Sequence, residues 1–508
     1  MSEPVHAVGI DLGTTHCALS SVDLDLSEGE SVVENGFVVP QLIAPGQVEK
    51  RPLLPSFLYL PHDSELPQDA LTLPWPGPSA FAVGEIARSL GVKSAARLVS
   101  SAKSWLGYTA IDRRAAILPV GAPPEVRKIS PLDASVRYLE HLRNAWDTAN
   151  PDAPLREQLV TITVPASFDP AARELTAEAA RAAGLGHAVL LEEPQAALYS
   201  WVASSQGDWR SQVGLGDVIL VIDVGGGTSD FSLIAVRQQD GELALERIAV
   251  GEHILLGGDN MDLALAYLLR AQLEQQGVTL DPVQQATLTQ AARVAKETLL
   301  SDLAAPSAPV SIPGRGSKLI GGAVNTELTR EDLERVLLDG FFPPVEVTEK
   351  PQGRARSALT QVGLPYAQDP AITRHLAAFL TRQAGALDDG QVPFARPTAV
   401  LFNGGVFKSP LLQDRILGVL DQWLTSVGSE PVRVLQGADL DLAVARGAAY
   451  YGHVRTGAGI RIRGGTAMAY YIGVESAMPA VPGMPPPMQA LCVAPFGLEE
   501  GTRAELPA

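Results

Sequence analysis

Two short glycine motifs, more than two hundred positions apart, constrain this chain more than any other feature. They are Gly9-Ile10-Asp11-Leu12-Gly13-Thr14-Thr15 and Val221-Ile222-Asp223-Val224-Gly225-Gly226-Gly227-Thr228-Ser229-Asp230. Each places an aspartate at the end of an apolar stretch and follows it with glycine and a hydroxyl residue. Apolar residues resume after each motif, so the pattern predicts two β-hairpins that carry the chemistry at their tips. The continuous apolar run 218–222 is typical of a strand buried on both faces.

These residue types suit a phosphate group and its metal ion. Glycine lets the backbone approach an anion closely, and turn N–H groups and the Thr14, Thr15 and Thr228 hydroxyls can donate hydrogen bonds to it. Asp11 and Asp223 supply hard oxygens for Mg²⁺, which usually keeps several of its waters. Either motif alone could be a simple flexible turn, but the pair favours two halves of one split nucleotide site. No Gly-x-x-x-x-Gly-Lys-[Ser/Thr] loop occurs, which disfavours the Walker-type NTPases.

Five further motifs follow in a specific order: Val160-Thr161-Ile162-Thr163-Val164-Pro165-Ala166-Ser167-Phe168 with Arg173, Leu191-Glu192-Glu193-Pro194-Gln195-Ala196-Ala197, Leu256-Gly257-Gly258-Asp259-Asn260-Met261-Asp262, Asn403-Gly404-Gly405-Val406, and Asp441-Leu442-Ala443-Val444-Ala445-Arg446-Gly447-Ala448-Ala449. With the two hairpins, residues 5–455 resemble the seventy-kilodalton heat-shock chaperone (DnaK-like) family of the actin/hexokinase-like ATPase superfamily. The resemblance implies an α/β, two-lobed actin-like ATPase fold. Its two ribonuclease-H-like cores would be duplicates on either side of a cleft.

The resemblance also implies ATP or ADP with Mg²⁺ in that cleft. Lys103 would stabilise charge on the γ-phosphate and position water, whereas without the family context it would be an ordinary solvated helix lysine. Glu193 and Asp230 would orient the attacking water and the metal shell, and Asp223 and Thr228 complete the implied catalytic set. The implied nucleotide-binding residues are Asp11, Gly13, Thr14, Thr15, Gly225, Gly226, Gly227, Thr228, Lys296, Gly404, Gly405, Lys408 and Asp441. Asp11 and Asp223 would hold the metal through water, and Pro165 and Arg173 would link nucleotide state to the outer surface.

The nucleoside side departs from the family pattern. Glu297 stands where the family usually has an arginine that stacks on adenine, and Leu300 replaces a serine. Val406 and Lys408 replace a serine and an arginine. Because a carboxylate cannot stack as a guanidinium does, we expect weaker adenine affinity or looser base selectivity. The alternative is that other side chains fill the pocket equally well.

His16 and Cys17 follow the first glycine turn. By strand alternation one of the two could approach the site, but a packing role is favoured. Cys17 and Cys492 are the two cysteines, and the eight histidines lack ligand spacing. Neither a zinc site nor a disulfide framework is therefore expected.

The predicted domain division follows the two motifs. Residues 1–215 and 437–455 would form lobe I, residues 216–436 lobe II, and residues 456–508 a linker and the start of a β-rich region. About fifty residues are too few for the family's peptide-binding sandwich and lid. This tail could pack on the ATPase domain, pair with another chain, or belong to a fragment of a longer protein, and the fragment is slightly favoured.

Local signals place several boundaries. Asp169-Pro170 predicts a helix cap followed by proline at the first helical position, and Gly184 predicts the end of that segment. Residues 23–50, 61–79 and 340–372 are predicted to be surface loops because they are rich in turn-forming and charged residues.

The net charge of −18 and the pI near 4.9 argue against nonspecific nucleic acid and anionic membrane partners. No stretch reaches the ~20 apolar residues that a spanning helix needs. With two cysteines and no signal segment, a reducing cytoplasm is expected.

Three other functions remain open beside a slowly ATP-hydrolysing chaperone module with protein clients and cochaperones. One is a nucleotide switch for a dedicated protein partner. The linker has Arg461 and Arg463 where the family has an acidic-tipped run of leucines, and this change and the altered nucleoside side favour the switch. The others are a small-molecule kinase, for which no additional catalytic aspartate motif is found, and an actin-like filament former.

Overall fold

The structure, a computed structural model, describes these residues: 3–62, 64–67, 69–76, 80–239, 241–314, 322–353, 364–385, 392–437, 439–466, 469–475, 488–495 and 497–498.

Two sheets with the same strand pattern organise the protein. In order across the first sheet, the strands are Val189–Glu192, Leu159–Val164, His6–Leu12, His16–Glu28 and Ser31–Gly36, with Leu53–Pro55 also paired to His16–Glu28. In order across the second sheet they are Arg433–Val434, Ala399–Asn403, Val218–Val224, Ser229–Gln239 and Glu242–Val250. Each sheet contains an antiparallel meander of three strands. Two further strands lie beside the first strand of the meander and run parallel to it. The repeated topology confirms the duplicated α/β fold expected from the sequence.

Both predicted hairpins are confirmed, with the glycine motifs at their tips. In the first, Leu12 pairs with Cys17, and in the second, Val224 pairs with Ser229. Every residue of Val218–Val224 is buried, as its apolar run predicts. This double burial is possible because helices cover both faces of the sheet.

The remaining strands form small sheets: Val39–Ala44 with Gln47–Arg51; Ala82–Val83, Leu58–Tyr59 and Leu98–Val99; Ser307–Ile312 with Val324–Thr329; and Tyr470–Glu475 with Met488–Ala494. The prediction of a surface loop over residues 23–50 is therefore wrong, since four strands cover most of it. Runs such as Ser31-Val32-Val33 and Val38-Val39 carry β-branched side chains that favour extended backbone, and the intervening Gly29 and Gly46 occupy tight turns at positive φ.

The helices are Glu85–Lys93, Ala102–Leu106, Pro131–Ala149, Pro170–Ala182, Glu193–Ser204, Trp209–Gln212, Gly258–Gln275, Pro282–Ser301, Arg330–Glu334, Ile372–Arg382, Pro410–Ser426 and Ala443–Val454, with a π-helical turn at Arg335–Phe341. Short 3₁₀ segments lie at Ala95–Arg97, Leu155–Glu157 and Gly405–Lys408. The predicted cap is confirmed: the Asp169 side chain accepts from the Ala172 N–H, Pro170 opens the helix, and Gly184 lies past its end at φ +82°. None of the described helices is both long and apolar enough to cross a lipid bilayer.

The helix Ala443–Val454 returns the chain to the first sheet. It packs against the strand His6–Leu12 and the helix Glu193–Ser204. Gly447 is required there because a Cβ would overlap the Ala196 carbonyl oxygen. The first-sheet strands all fall within residues 1–215 and the second-sheet strands within 216–436, and the lobe division itself stays a prediction.

The tail and two predicted loops lie partly outside the described residues. Residues 476–487 and 499–508 of the tail, residues 354–363 of the loop at 340–372, and several positions of the loop at 61–79 belong to that part. In the described part of the tail, Tyr470–Glu475 pairs with Met488–Ala494. The predicted strand character of the tail is thereby confirmed for these residues.

Candidate functional site

A cavity of about 530 Å³ lies where the tips of the two hairpins meet. Most of the nucleotide-site residues predicted from the sequence line it: Asp11, Gly13, Thr14, Thr15, Lys103, Glu193, Asp223, Gly225, Gly226, Thr228, Lys296, Gly404, Gly405, Lys408 and Asp441. These residues come from both sheets and from the helices behind them. The fold thus collects into one cleft side chains that are hundreds of positions apart in the chain.

The two hairpin tips touch each other. A Cβ atom on Gly226 would overlap the Thr15 hydroxyl, and one on Gly227 would overlap the Ser104 hydroxyl and press against Thr14. Glycine is therefore needed at these positions because no side chain fits between the tips. Thr14, Thr15 and Thr228 all line the same cavity, so hydroxyl donors from both tips can bind one anion there.

Lys103 and Glu193 form a buried ion pair at one end of the cavity, here called the phosphate end. Burial lowers the pKa of Lys103, but the carboxylates of Glu193 and Asp11 outweigh burial and raise it overall. Burial also raises the pKa of Glu193 to about 7, although Lys103 opposes the shift. Glu193 is therefore close to half-ionised at neutral pH, whereas Lys103 keeps its positive charge.

Asp11 and Asp223 face the same end from the two sheets. Thr163 donates to Asp11 at 3.2 Å, and the Asn403 amide donates to Asp223 at 2.8 Å. Burial raises the pKa of both carboxyls, and the charges of Glu193 and Asp230 raise that of Asp223 further. Lys103 interacts with Glu193 and Asp11, and Asp223 lies beside Glu193, Asp230 and Asp11, so carboxylates outnumber lysines among the described residues of the phosphate end.

This charge excess fits a cation that arrives with the ligand. No three acidic, histidine or cysteine side chains in the described ranges converge closely enough to ligate a metal directly. Asp11 and Asp223 could therefore hold Mg²⁺ through its retained waters, as Mg²⁺ commonly binds in phosphate sites.

A second group of charged side chains lining the cavity, here called the nucleoside end after the predicted ribose contact of Lys296, has balanced charges. Arg293 binds Asp262 at 2.5 Å and Asp259 at 2.6 Å, and Lys296 binds Asp262 at 2.6 Å. Burial opposes ionisation of Asp262, yet Lys296 and Arg293 outweigh it and lower its pKa. Lys296, predicted to contact a ribose, is thus paired with a neighbouring carboxylate.

Lys408 and Asp441 also line the cavity. They form an ion pair with each other, and the Lys408 side chain is about half exposed.

Several cavity residues were not predicted from the sequence. His16 lines the cavity, so the preference for a packing role was wrong for it. Burial, with the charges of Arg88, Lys408 and Arg293, lowers the pKa of His16 to about 3, which keeps the ring neutral at physiological pH. Arg88 and Arg293 reach the cavity from separate helices, and no local sequence pattern marks either residue.

The packing role expected for Cys17 is confirmed. Cys17 is buried beneath the first glycine turn, and burial raises the pKa of its thiol to about 12. Its sulfur contacts Ser56, whose hydroxyl donates to the Gly13 carbonyl at 2.7 Å.

Two predicted site residues lie outside the cavity lining. Gly227 lies between the hairpin tips, against Thr14 and Ser104. Asp230 is buried directly across the second hairpin from Asp223 and accepts a hydrogen bond from Ser167 at 2.6 Å.

Arginine contacts connect Glu192, the residue before Glu193, to the predicted linker. Arg173, the predicted coupling residue, donates to Glu192 at 2.7 Å. Arg247 pairs with the same carboxylate and also contacts the Gly465 carbonyl. Next to it, the backbone of Arg463 in the predicted linker pairs with the edge strand of the second sheet: its N–H donates to the Leu245 carbonyl and its carbonyl accepts from the Arg247 N–H, both at 2.8 Å.

Comparison with known proteins supports one family. A family model described as "Hsp70 protein" matches residues 79–355, more than half of the chain. Similar proteins include the Chaperone protein HscA homolog of Verminephrobacter eiseniae, 31% identical over 66% of this chain and 47% of that protein. The homolog from Bordetella petrii is 30% identical over 70% and 49%, and Chaperone protein HscA of Pectobacterium carotovorum is 31% identical over 68% and 50%. The chain spans about half the length of the curated relatives it matches.

Proposed function

The chain belongs to the Hsp70 family, and we propose that it is an ATP-binding, slowly ATP-hydrolysing chaperone module. In this proposal the nucleotide state sets the closure of the two lobes and thereby the binding of protein clients or a partner. The observation that carries the proposal is the contact of the two glycine tips beside the Lys103–Glu193 pair. The family match covers Lys103, Glu193 and the second tip, and the fold adds the first tip, which lies outside the matched range.

The chain's own residues suggest how hydrolysis would proceed. Phosphoryl transfer depends mainly on in-line positioning and on neutralising charge on the phosphoryl oxygens. Lys103 would supply that charge, and the hydroxyls of Thr14, Thr15 and Thr228 would orient the phosphates. Glu193, with a pKa of about 7, is suited to accept a proton from water near neutral pH.

Mg²⁺ is proposed as the companion ion. Asp11 and Asp223 would hold the ion through water, and the ion would supply positive charge that offsets the carboxylates of the phosphate end and the phosphate groups. Burial raises the pKa of both aspartates, so an ion that supplies positive charge there would favour their ionised forms.

Calorimetric titration with ATP, ADP and GTP, each with and without Mg²⁺, tests the proposal. We expect saturable binding of ATP and ADP that weakens when Mg²⁺ is removed, together with slow release of phosphate from ATP. Absence of nucleotide binding in the folded protein would reject the proposal. Transfer of phosphate to members of a metabolite panel would instead support the kinase alternative, and ATP-dependent sedimentation would support a filament.

A dedicated protein partner is the second candidate, and the basic linker favours it. Arg461 and Arg463 stand where the family normally has an acidic-tipped leucine run, and the Arg463 backbone pairs with the edge strand of the second sheet through Leu245 and Arg247. Pull-down with ATP and with ADP separates the two: one constant partner supports the switch, and a broad client set supports the general chaperone. A cytoplasmic location and cochaperone binding are also part of the proposal.

A further inference from the structure

Ser167 joins the two halves of the protein through two short hydrogen bonds. Its hydroxyl lies 2.6 Å from Asp230 Oδ1 and 2.5 Å from His253 Nδ1. Ser167 follows the strand Leu159–Val164 of the first sheet, whereas Asp230 and His253 belong to the segment that builds the second sheet. The three side chains therefore form a bridge between the two halves.

The direction of the hydrogen bonds follows from the groups themselves. A carboxylate accepts hydrogen bonds, so the Ser167 hydroxyl donates a hydrogen bond to Asp230. The Ser167 oxygen then accepts from His253, which places a proton on Nδ1. The other ring nitrogen, Nε2, is buried and has no hydrogen-bond partner in the described part of the chain. The ring packs edge-on against Phe168, with 6.2 Å between ring centroids, which restricts its rotation.

Asp230 lies close to Asp223 and Glu193 but does not line the cavity. It stands directly across the second hairpin from Asp223, so both side chains lie on the same face of the sheet. Its charge raises the pKa of Asp223 and of Glu193. A rotation of the Asp230 side chain would therefore change the electrostatic field at Asp223 and Glu193, two carboxylates of the phosphate end.

We propose that Ser167 and His253 are positioning residues that fix the Asp230 carboxylate for ATP hydrolysis when the two lobes are closed. Opening the lobes separates Ser167 from Asp230 and His253 and releases the carboxylate. The bridge thus makes the hydrolytic step depend on lobe closure. This inference rests on the proposed ATPase function.

Single-turnover hydrolysis and ATP affinity, measured on the same variants, test the inference. We expect Ser167→Ala to slow hydrolysis about 10-fold or more, in the range for a misplaced reacting group, while the ATP Kd changes less than about twofold. Ser167→Thr keeps the hydroxyl and His253→Asn can still donate in place of Nδ1–H, so both should retain most of the rate. Ser135→Ala is the matched control, because that buried serine donates to a helix carbonyl far from the cavity.

Two kinetic outcomes would overturn the inference. One is hydrolysis by Ser167→Ala at the parental rate, and the other is a rate for Ser167→Thr as low as that of Ser167→Ala. If the parental chain binds ATP but none of the variants alters hydrolysis, the positioning role fails while the proposed function stands. If the parental chain neither binds nor hydrolyses ATP, both fail.

A measurement without nucleotide checks the bridge independently of activity. In ¹⁵N-histidine-labelled protein, the ring signals lost in His253→Asn identify His253 among the eight histidines. Asp230→Asn should shift those signals because Asp230 is connected to His253 through the Ser167 hydroxyl. Ser135→Ala should leave them unchanged. Unchanged His253 signals in both Asp230→Asn and Ser167→Ala would show that the bridge does not form.

Discussion

At the phosphate end of the cavity, Lys103 interacts with the carboxylates of Glu193 and Asp11, and Asp223 lies beside them with the Asn403 amide as its hydrogen-bond donor. At the nucleoside end, two aspartates are matched by one arginine and one lysine. Burial is the largest cause of the raised carboxyl pKa values at the first end, and Lys103 offsets it only in part for Asp11 and Glu193. At the second end burial also raises the pKa of Asp259, but Lys296 and Arg293 lower that of Asp262. The contrast suggests that the phosphate end depends on a cation brought with the nucleotide, while the nucleoside end contributes shape and modest selectivity.

The largest expected effect tests the single lysine of the phosphate end. Lys103→Ala should lower single-turnover ATP hydrolysis by about 10²–10³-fold, because one charged contact of this kind typically has that effect. Loss of the lysine also removes the group that lowers the Glu193 pKa, so less of Glu193 can accept a proton. ATP binding, measured by calorimetry, should be largely retained.

Lys93→Ala, at the end of a helix outside the cavity, is the control for this variant. Hydrolysis by Lys103→Ala at the parental rate would remove Lys103 from the site. Loss of ATP binding with a lowered melting temperature would show instead that the lysine is needed for folding.

The second prediction concerns pH and the raised pKa of Glu193. Unfolded Glu193 has the ordinary pKa of 4.5 and the folded residue about 7, so the folded state binds more protons between these values. The free energy of unfolding should therefore fall as pH rises through this window, with about 3 kcal/mol from Glu193 at ~1.36 kcal/mol per unit. Urea unfolding of the nucleotide-free protein between pH 5 and 7.5 measures the slope.

Glu193→Gln should make this slope shallower, and Glu178→Gln, at a surface ion pair, should leave it unchanged. Asp11 and Asp223 shift in the same direction, so some slope should persist in Glu193→Gln. A slope equal to the parental one in that variant would contradict the raised pKa of Glu193.

The contact between the glycine tips gives the third prediction. Gly226→Ala places a methyl group on the Thr15 hydroxyl, so the tips must separate and the phosphate groups lose one wall of their site. The ATP Kd should rise about tenfold, equivalent to about 1.4 kcal/mol. Gly418→Ala, on a helix where a Cβ meets open space, is the matched control. Equal ATP affinity in Gly226→Ala and the parental protein would mean that the tips are not in contact when nucleotide binds.

The sequence predicted the phosphate end better than the nucleoside end, for a physical reason. A hairpin tip such as Asp11–Thr15 combines strand, turn and ligand-binding residues in one short segment, so its local pattern carries the information. The roles of Arg88 and Arg293 depend instead on how separate helices pack, which no local pattern encodes. The same holds for the Ser167–His253 contact. Strand alternation indicated that one of His16 and Cys17 faces the site but not which one, because the cavity is completed by residues of the second sheet.

The smallest expected effect tests the nucleoside end directly. Glu297 lies at the cavity wall on an exposed helix position, where the family pattern has a stacking arginine. Glu297→Arg should tighten ATP binding by about 2–5-fold, which corresponds to an exposed cation–π contact of about 0.5–1 kcal/mol. Glu297→Gln removes the carboxylate without adding a guanidinium, so it should have a smaller effect.

Tripolyphosphate separates base stacking from simple attraction to phosphate in this experiment. If the new arginine stacks on the base, Glu297→Arg should tighten ATP but leave tripolyphosphate affinity close to that of Glu297→Gln. Equal gains for both ligands would mean that the arginine acts through the phosphates, and the electrostatic separation of the two ends would then be wrong. The comparison is sensitive because the nucleoside end is already charge-balanced, so an added positive charge there has no buried carboxylate left to pair with.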